Sequence, residues 1–132
     1  MNGYLLDTST CIFLLRGKRR VEEKLNEIDE GICYISEIVL AEFVFGAYYS
    51  EQIEDNLRLV EAFVSEMKII TFDEILHTFA QERAKLWKAG KKIEDFDLLI
   101  GCAAKAKDLT IVTHNRRHFE HIEGLQIEDW AV

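Results

Sequence analysis

Proline is absent from this sequence of 132 residues. Its charge-free apolar stretches reach only about a third of the roughly 20 residues that a transmembrane helix needs. The three cysteines form no C-x-x-C pair, so neither a zinc knuckle nor a disulfide framework is predicted. Residues 1–4 lack the charged start and long apolar centre of a secretory signal. We therefore expect a cytoplasmic protein without a membrane span, whose cysteines are small buried residues.

Positive charge is also scarce. The chain has 16 lysine and arginine residues against 24 aspartate and glutamate residues, which gives a formal net charge of −8. This balance excludes a nucleic-acid binder that works by bulk positive charge. A polyanion would have to bind to a local basic patch or to a metal ion.

The composition is that of a folded domain, with 48% hydrophobic and 30% charged residues. One domain over residues 1–132 is expected from the length. The predicted strands are residues 4–6, 32–35, 68–71, 109–113 and 125–127. Helices are predicted over residues 8–16, 21–28, 36–49, 53–65, 73–89 and 96–107, with Thr8 or Ser9, Ser36 and Asp73 as caps. This alternation predicts an α/β fold with a mainly parallel central sheet and helices on both faces.

Three acidic residues lie among apolar neighbours. Asp7 follows the first strand, Glu42 is the only charge in residues 38–47, and Asp97 precedes an apolar run. A lone buried carboxylate costs several kcal/mol unless it is paired, protonated or bound to a metal. If the three converge, their repulsion raises their pKa values, and a divalent cation removes the conflict. Oxygen ligands favour Mg²⁺ or Mn²⁺ over zinc.

Each of these acids also has a simpler interpretation. Asp7 can cap the helix that follows it. Asp97 can be a helix N-terminal acid that interacts favourably with the macrodipole. Glu42 lies in the middle of a predicted helix, where capping is impossible. Its simpler interpretation is a residue at the solvent-exposed edge of an amphipathic helix. Taken together, the three acids at comparable junctions indicate a site more strongly than any one of them does.

Short motifs carry a family resemblance across nearly the whole chain. In order, they are Leu5-Leu6-Asp7-Thr8-Ser9, Ala41-Glu42-Phe43, Asp97-Leu98-Leu99-Ile100 and Ile111-Val112-Thr113-His114-Asn115, followed by Phe119. This ordered set resembles the PIN-domain ribonucleases, and more narrowly the VapC toxins of toxin–antitoxin pairs. The last residues, 119–125 with Asp129-Trp130, resemble the end of such toxins. The similarity is greatest to the branch that cleaves initiator tRNA.

The resemblance implies a Mg²⁺- or Mn²⁺-dependent endoribonuclease with a PIN fold. Its metal ligands and catalytic acids would be Asp7, Glu42 and Asp97, with Asn115 at the family's fourth acidic position. An amide there brings no charge, which puts a second tightly held metal in doubt. Ser9 stands where the family often has asparagine, and its hydroxyl can orient Asp7 or contact the substrate. Attack of water would leave a 5′-phosphate and a 3′-hydroxyl.

Substrate and protein partners follow from the same reasoning. Arg116 and Arg117, beside Asn115, are the preferred phosphate contacts, and His114 is a further candidate. Other basic candidates are Arg16, Lys18, Arg19, Arg20, Lys91 and Lys92. The aromatic residues Phe43, Phe45, Tyr48 and Tyr49 predict a homodimer or partner surface, and Trp87 and Trp130 are expected in the core or an interface. The family implies a VapB-like antitoxin whose basic tail covers the acidic site.

Two alternative functions compete with RNA cleavage. An inactive PIN-like module that binds RNA or protein is favoured only by Asn115 and is disfavoured by the three acids. A phosphatase that uses Asp7 as phosphoacceptor needs a second acid two residues later, where this sequence has Ser9. Transfer RNA is the expected substrate of the leading interpretation, with recognition by shape and an unpaired loop.

Overall fold

The structure is a computed structural model that describes residues 3–28 and 32–132. Residues 1 and 2, part of the segment tested for a secretory signal, lie outside the described residues. Five strands form one sheet in the order β3-β2-β1-β4-β5, and every pairing is parallel. The strands are β1 Tyr4–Leu6, β2 Cys33–Ser36, β3 Lys68–Ile70, β4 Thr110–Val112 and β5 Ile127–Glu128. The predicted parallel α/β architecture is confirmed.

Six helices connect and cover the strands. They are α1 Thr8–Leu15, α2 Arg19–Asn26, α3 Glu37–Tyr49, α4 Ile53–Val64, α5 Phe72–Lys88 and α6 Asp95–Ala106. A short 3₁₀ helix, Arg116–His118, follows β4. Neighbouring residues of a strand point to opposite faces of the sheet, and both Leu5 and Leu6 are inaccessible to solvent. Both faces of the central strand are therefore covered, as a parallel sheet requires.

Two predicted helix caps are wrong. Asp7 caps α1 in place of Thr8 or Ser9, because its Oδ1 accepts the Thr10 N–H at 3.0 Å. Thr71 precedes α5, and the Thr71 N–H donates to the Glu74 carboxylate at 2.8 Å in a capping box, so Asp73 lies inside the helix. At the third predicted cap, Ser36 accepts the N–H of the third residue of α3, as expected.

The cysteines and the aromatic residues divide between core and surface. All three cysteines are buried, as predicted. Trp130 is 4% exposed and packs edge-on against Tyr4, with ring centroids 5.3 Å apart. Phe43 is also buried, so it belongs to the core rather than to a partner surface. Trp87 is 59% exposed, which excludes the core and leaves an interface, the other position expected for it.

The topology brings the ends of the strands to one edge of the sheet. Because all strands run in the same direction, the residues after β1, β2 and β4 lie side by side at the carboxyl edge. Ligands of open parallel sheets bind at this edge. None of the helices in the described part of the chain is long and apolar enough to cross a membrane.

Candidate active site

Asp7 lies directly after β1 and is almost completely buried. Its Oδ1 accepts two hydrogen bonds, from the Thr10 N–H at 3.0 Å and from the Ser9 hydroxyl at 2.8 Å. The hydrogen bonds that the structure describes leave Oδ2 unengaged. The capping role considered for Asp7 is therefore real, and it leaves one carboxylate oxygen available for a ligand.

Ser9 links Asp7 to the end of β4. Its hydroxyl donates to Asp7 and accepts the backbone N–H of His114 at 3.2 Å. The backbone N–H of Asp7 also donates to the Val112 carbonyl at 3.1 Å. These contacts fix the first acid against the neighbouring strand, so the orienting role predicted for Ser9 has a structural basis.

Glu42 reaches the same edge from α3. Its Oε1 accepts the hydroxyl of Thr8 at 2.8 Å, which ties α3 to the first turn of α1. Burial raises the pKa of Glu42, the Thr8 hydrogen bond partly offsets this, and Asp97, Glu94 and Asp7 raise it further. Glu42 is partly buried and bonded to Thr8, unlike a glutamate on a purely solvent-exposed helix edge. Glu42 therefore belongs to the acidic cluster.

Asp97 is the third residue of α6 and is partly buried. Its Oδ2 lies 3.1 Å from the Nδ1 of His118 in the 3₁₀ helix. Burial raises the pKa of Asp97, the neighbouring His118 lowers it, and Glu94 and Asp7 raise it. The charges of Asp7 and Glu94 raise the pKa of both Glu42 and Asp97, so the fold places these acids near one another although they come from separate segments.

Asn115, the fourth predicted residue, differs from these acids. It is exposed, and its backbone N–H donates to the Thr113 hydroxyl at 2.9 Å. Its neighbour His114 is held by Asp129, with 2.9 Å between Nδ1 and Oδ2. The loop that carries Asn115 is therefore fixed, but the site gains no charge from it.

Sequence reasoning missed three contributors to the site: Thr8, Glu94 and His118. Glu94 is the N-cap residue of α6 and contributes to the raised pKa of both Glu42 and Asp97. The signal that identified the other acids was their apolar surroundings. Glu94 and His118 lie in polar stretches, so only the fold brings them to the site.

The donor set suits a hard divalent cation held through few protein ligands. Within residues 3–28 and 32–132, no group of three or more histidine, cysteine, aspartate or glutamate side chains forms a metal site by itself. Magnesium commonly keeps several waters and uses one or two carboxylates together with substrate phosphates. Asp7 and Asp97 offer two such carboxylates in a cluster with unbalanced negative charge. The residues therefore fit Mg²⁺ or Mn²⁺ with two direct carboxylate ligands.

A groove of about 970 Å³ runs beside the acidic cluster. Glu42 and Thr8 line it together with Arg16, and its remaining lining is largely apolar, including Phe45 and Phe96. One of the predicted basic residues thus lies next to the cluster.

The other predicted basic residues have varied surroundings. Arg116 is exposed and donates to the Ile127 carbonyl at 3.2 Å, whereas the exposed Arg117 has no partner within the described residues. Arg19 pairs with Glu23, the Nε of Arg20 donates to the Val132 carbonyl, and Lys18 lies 4.4 Å over the Phe13 ring. Arg117 is therefore the freest cation of the loop after β4.

Comparison with known proteins places this architecture in a family. The PIN domain profile matches residues 4–125. The tRNA(fMet)-specific endonuclease VapC of Shigella flexneri is 38% identical over 133 residues, covering 99% of this chain and 100% of that protein. Ribonuclease VapC2 of Haemophilus influenzae is 34% identical over 135 residues, with 99% and 100% coverage. In the crystal structure of DNA-bound VapBC from Salmonella typhimurium, the matching chain is 36% identical, with a TM-score of 0.91 and coverage of 98% of this chain and 99% of that one. The chain therefore belongs to the PIN domain family and, within it, to the VapC group.

Proposed function

We propose that this chain is a Mg²⁺- or Mn²⁺-dependent endoribonuclease, the toxin of a toxin–antitoxin pair, with transfer RNA as its substrate. The observation that carries the proposal is the coupled cluster of Asp7, Glu42 and Asp97 at the carboxyl edge of a parallel sheet. The name of the Shigella flexneri relative, a tRNA(fMet)-specific endonuclease, supports the choice of substrate.

Asp7 and Asp97 would hold the metal, with Glu42 beside them. When bound, the ion would supply charge neutralisation at the phosphate and a lowered pKa for bound water. The chain keeps Asp7 in position through Ser9 and Thr10, whose hydrogen bonds occupy only one carboxylate oxygen.

Glu42 is the residue best suited to accept the proton of the attacking water. Thr8 holds its Oε1, which leaves Oε2 to take the proton. Its raised pKa makes Glu42 a stronger base than an ordinary exposed glutamate. Water would then add to phosphorus in line with the P–O3′ bond, which breaks. The 3′-oxygen leaves and takes up a proton from bulk water, and Glu42 releases its own proton to bulk water, so that the products end in a 3′-hydroxyl and a 5′-phosphate.

A VapB-like antitoxin would use the groove beside Glu42. Its largely apolar lining suits apolar side chains of a peptide, and the acidic cluster at its edge suits a basic one. The exposed aromatics Phe45, Tyr48 and Tyr49 lie on the same helix and would join two copies of the chain in a homodimer. Analytical sedimentation of the parent and, separately, of a Tyr48→Ser/Tyr49→Ser variant tests the dimer. We expect a dimer for the parent and a monomer for the variant.

Cleavage is tested by incubating the purified chain with total tRNA in Mg²⁺, in Mn²⁺ or in EDTA. We expect cleavage only with a metal ion, and its loss in Asp7→Asn and Asp97→Asn variants that retain the circular dichroism of the parent. Asp55→Asn, an exposed acid in the first turn of α4, is the matched control and should cleave normally. Sensitivity of the fragments to a 5′-phosphate-dependent exonuclease identifies the product ends.

Two results would overturn parts of this assignment. If both site variants cut RNA at the parental rate, the site is wrong. If the parent binds RNA but never cuts it, the inactive binding module is correct, as the uncharged Asn115 would suggest. An Arg116→Ala/Arg117→Ala variant should cut more weakly with an unaltered pattern, whereas a shifted cut site would mean that these residues read sequence.

A further inference from the structure

Trp87 is a large aromatic side chain on the surface of α5, with 59% of its area exposed. The guanidinium of Arg83, one helical turn earlier, lies 4.6 Å from the centre of the Trp87 ring. Arg83 also lies 5.8 Å from the ring of Phe79. The cation therefore contacts the indole, and much of the ring remains open to solvent.

This pair is joined to the helix that carries Asp97. Arg83 Nη2 lies 3.7 Å from Oδ1 of Asp95, the first residue of α6, two positions before Asp97. Arg83 therefore joins the exposed end of α5 to the first turn of α6, which also carries Asp97. Phe96, which is 51% exposed, lies between Asp95 and Asp97 in the chain. The first turn of α6, to which Arg83 is joined, thus presents an exposed aromatic ring next to Asp97 in the chain.

Exposed lysines follow Trp87 in the connection to α6. Lys91 and Lys92 are exposed and form no salt bridge within the described part of the chain. Lys85, in contrast, pairs with Glu123, and the charge of Lys91 adds to the lowering of the Glu123 pKa. In a chain with a net charge of −8, cations without a paired acid are available for an external anion.

We propose that Arg83, Trp87, Lys91 and Lys92, together termed the Trp87 platform, bind an unpaired stretch of the RNA substrate beside the cut. The proposal rests on the proposed function and adds a substrate contact to it. An open aromatic face stacks on any base, and neighbouring cations contact the phosphates, which is the usual arrangement in single-strand binding. Arg83 positions the indole, while Asp95 partly balances its charge.

Tryptophan fluorescence reports on this contact directly. The chain has two tryptophans, and Trp130 is buried, so changes in the exposed emission come from Trp87. Single-stranded oligouridylate is titrated into the chain in EDTA, where no cleavage occurs. We expect quenching by the single strand and much weaker quenching by a duplex of equal length.

Variants separate stacking from charge. Trp87→Ala should bind the single strand at least about fivefold more weakly, whereas Trp87→Phe should retain binding and lose the signal. Lys91→Ala/Lys92→Ala should lower the slope of log affinity against log salt by about 1.4, at about 0.7 per phosphate contact. Anisotropy of labelled RNA measures all variants, and Lys24→Ala/Arg58→Ala removes two exposed cations elsewhere as the control.

Cleavage in Mg²⁺ adds an independent readout. Trp87→Ala should raise KM for tRNA and leave kcat within about twofold of the parent, because the platform holds substrate away from the reacting phosphate. Unchanged Trp87 emission on RNA addition, or parental affinity in Trp87→Ala, overturns the platform. The platform is also overturned if Trp87→Ala changes the chain from dimer to monomer without altering RNA affinity. That result would show that this surface is a contact between copies of the chain. A parent that shows the Trp87 effects but never cuts RNA would overturn the proposed function alone.

Discussion

Neutralising Asp97 should abolish the stabilisation of the fold by a divalent cation. A ligand that binds only the folded state adds about 2.7 kcal/mol at a free concentration of about 100 times its Kd. For a chain of 132 residues, the entropy of unfolding is about 0.28 kcal/mol/K, from about 2.1 cal/mol/K per residue. The Tm of the parent should therefore rise by about 10 °C in Mn²⁺ at that concentration.

Calorimetric melting of EDTA-treated protein across a Mn²⁺ titration provides the assay. The Tm of the parent should rise by the full amount, and the Tm of Asp97→Asn should rise little or not at all, because a neutral amide is a weak metal ligand. Asp55, like Asp97, lies in the first turn of a helix, so Asp55→Asn is a matched control. Its Tm should rise with Mn²⁺ as that of the parent does. A parent whose Tm does not depend on Mn²⁺, or an Asp97→Asn variant that shifts equally, refutes the assigned metal site.

Three further predictions concern stability and activity. The pKa of Glu42 is higher in the folded chain than in the unfolded chain. Between these two pKa values the folded chain binds more protons, so the free energy of unfolding falls as pH rises through that range. Glu42→Gln should therefore be more stable than the parent at neutral pH in EDTA and equal to it in acid, as measured by urea unfolding. Ser9→Ala removes the hydroxyl that holds Asp7 and should lower Mn²⁺ affinity and cleavage by roughly 10–100-fold, measured by calorimetry and tRNA cleavage. Gly101→Ala places a Cβ against Ile122. The clash outweighs the gain in helix propensity, so urea unfolding should show a net destabilisation of about 1 kcal/mol.

The architecture could be predicted because strand and helix signals alternate cleanly, whereas cap residues could not be assigned. Residues 7–10 are four consecutive polar residues, each able to accept a backbone N–H. Asp7 is the N-cap residue because it directly precedes the helix and its carboxylate accepts the Thr10 N–H. The same competition occurs at Thr71 and Asp73, and local sequence does not decide it.

The surface position of Trp87 could have been predicted from helical periodicity. The buried residues of α5 are Ile75, Glu82 and Leu86, which are spaced by seven and four and form one stripe along the helix. Trp87 is one residue beyond this stripe and is therefore rotated by about 100° from it. Its aromatic character suggested a core or interface residue, and its register places it on the surface.

The separation of acids and cations follows from the chemistry proposed for the site. Lysines close to carboxylates in this chain pair with them, as Lys105 does with Glu82 and Lys107 with Glu74. A lysine paired with Asp97 would be a permanent positive charge and would compete with a metal ion for the carboxylate. Among the described residues, the basic side chain that contacts Asp97 is His118, at 3.1 Å, and no lysine or arginine pairs with this acid. In the proposed metal-dependent nuclease, the lysines proposed to bind RNA would therefore be expected on a surface separate from the acids.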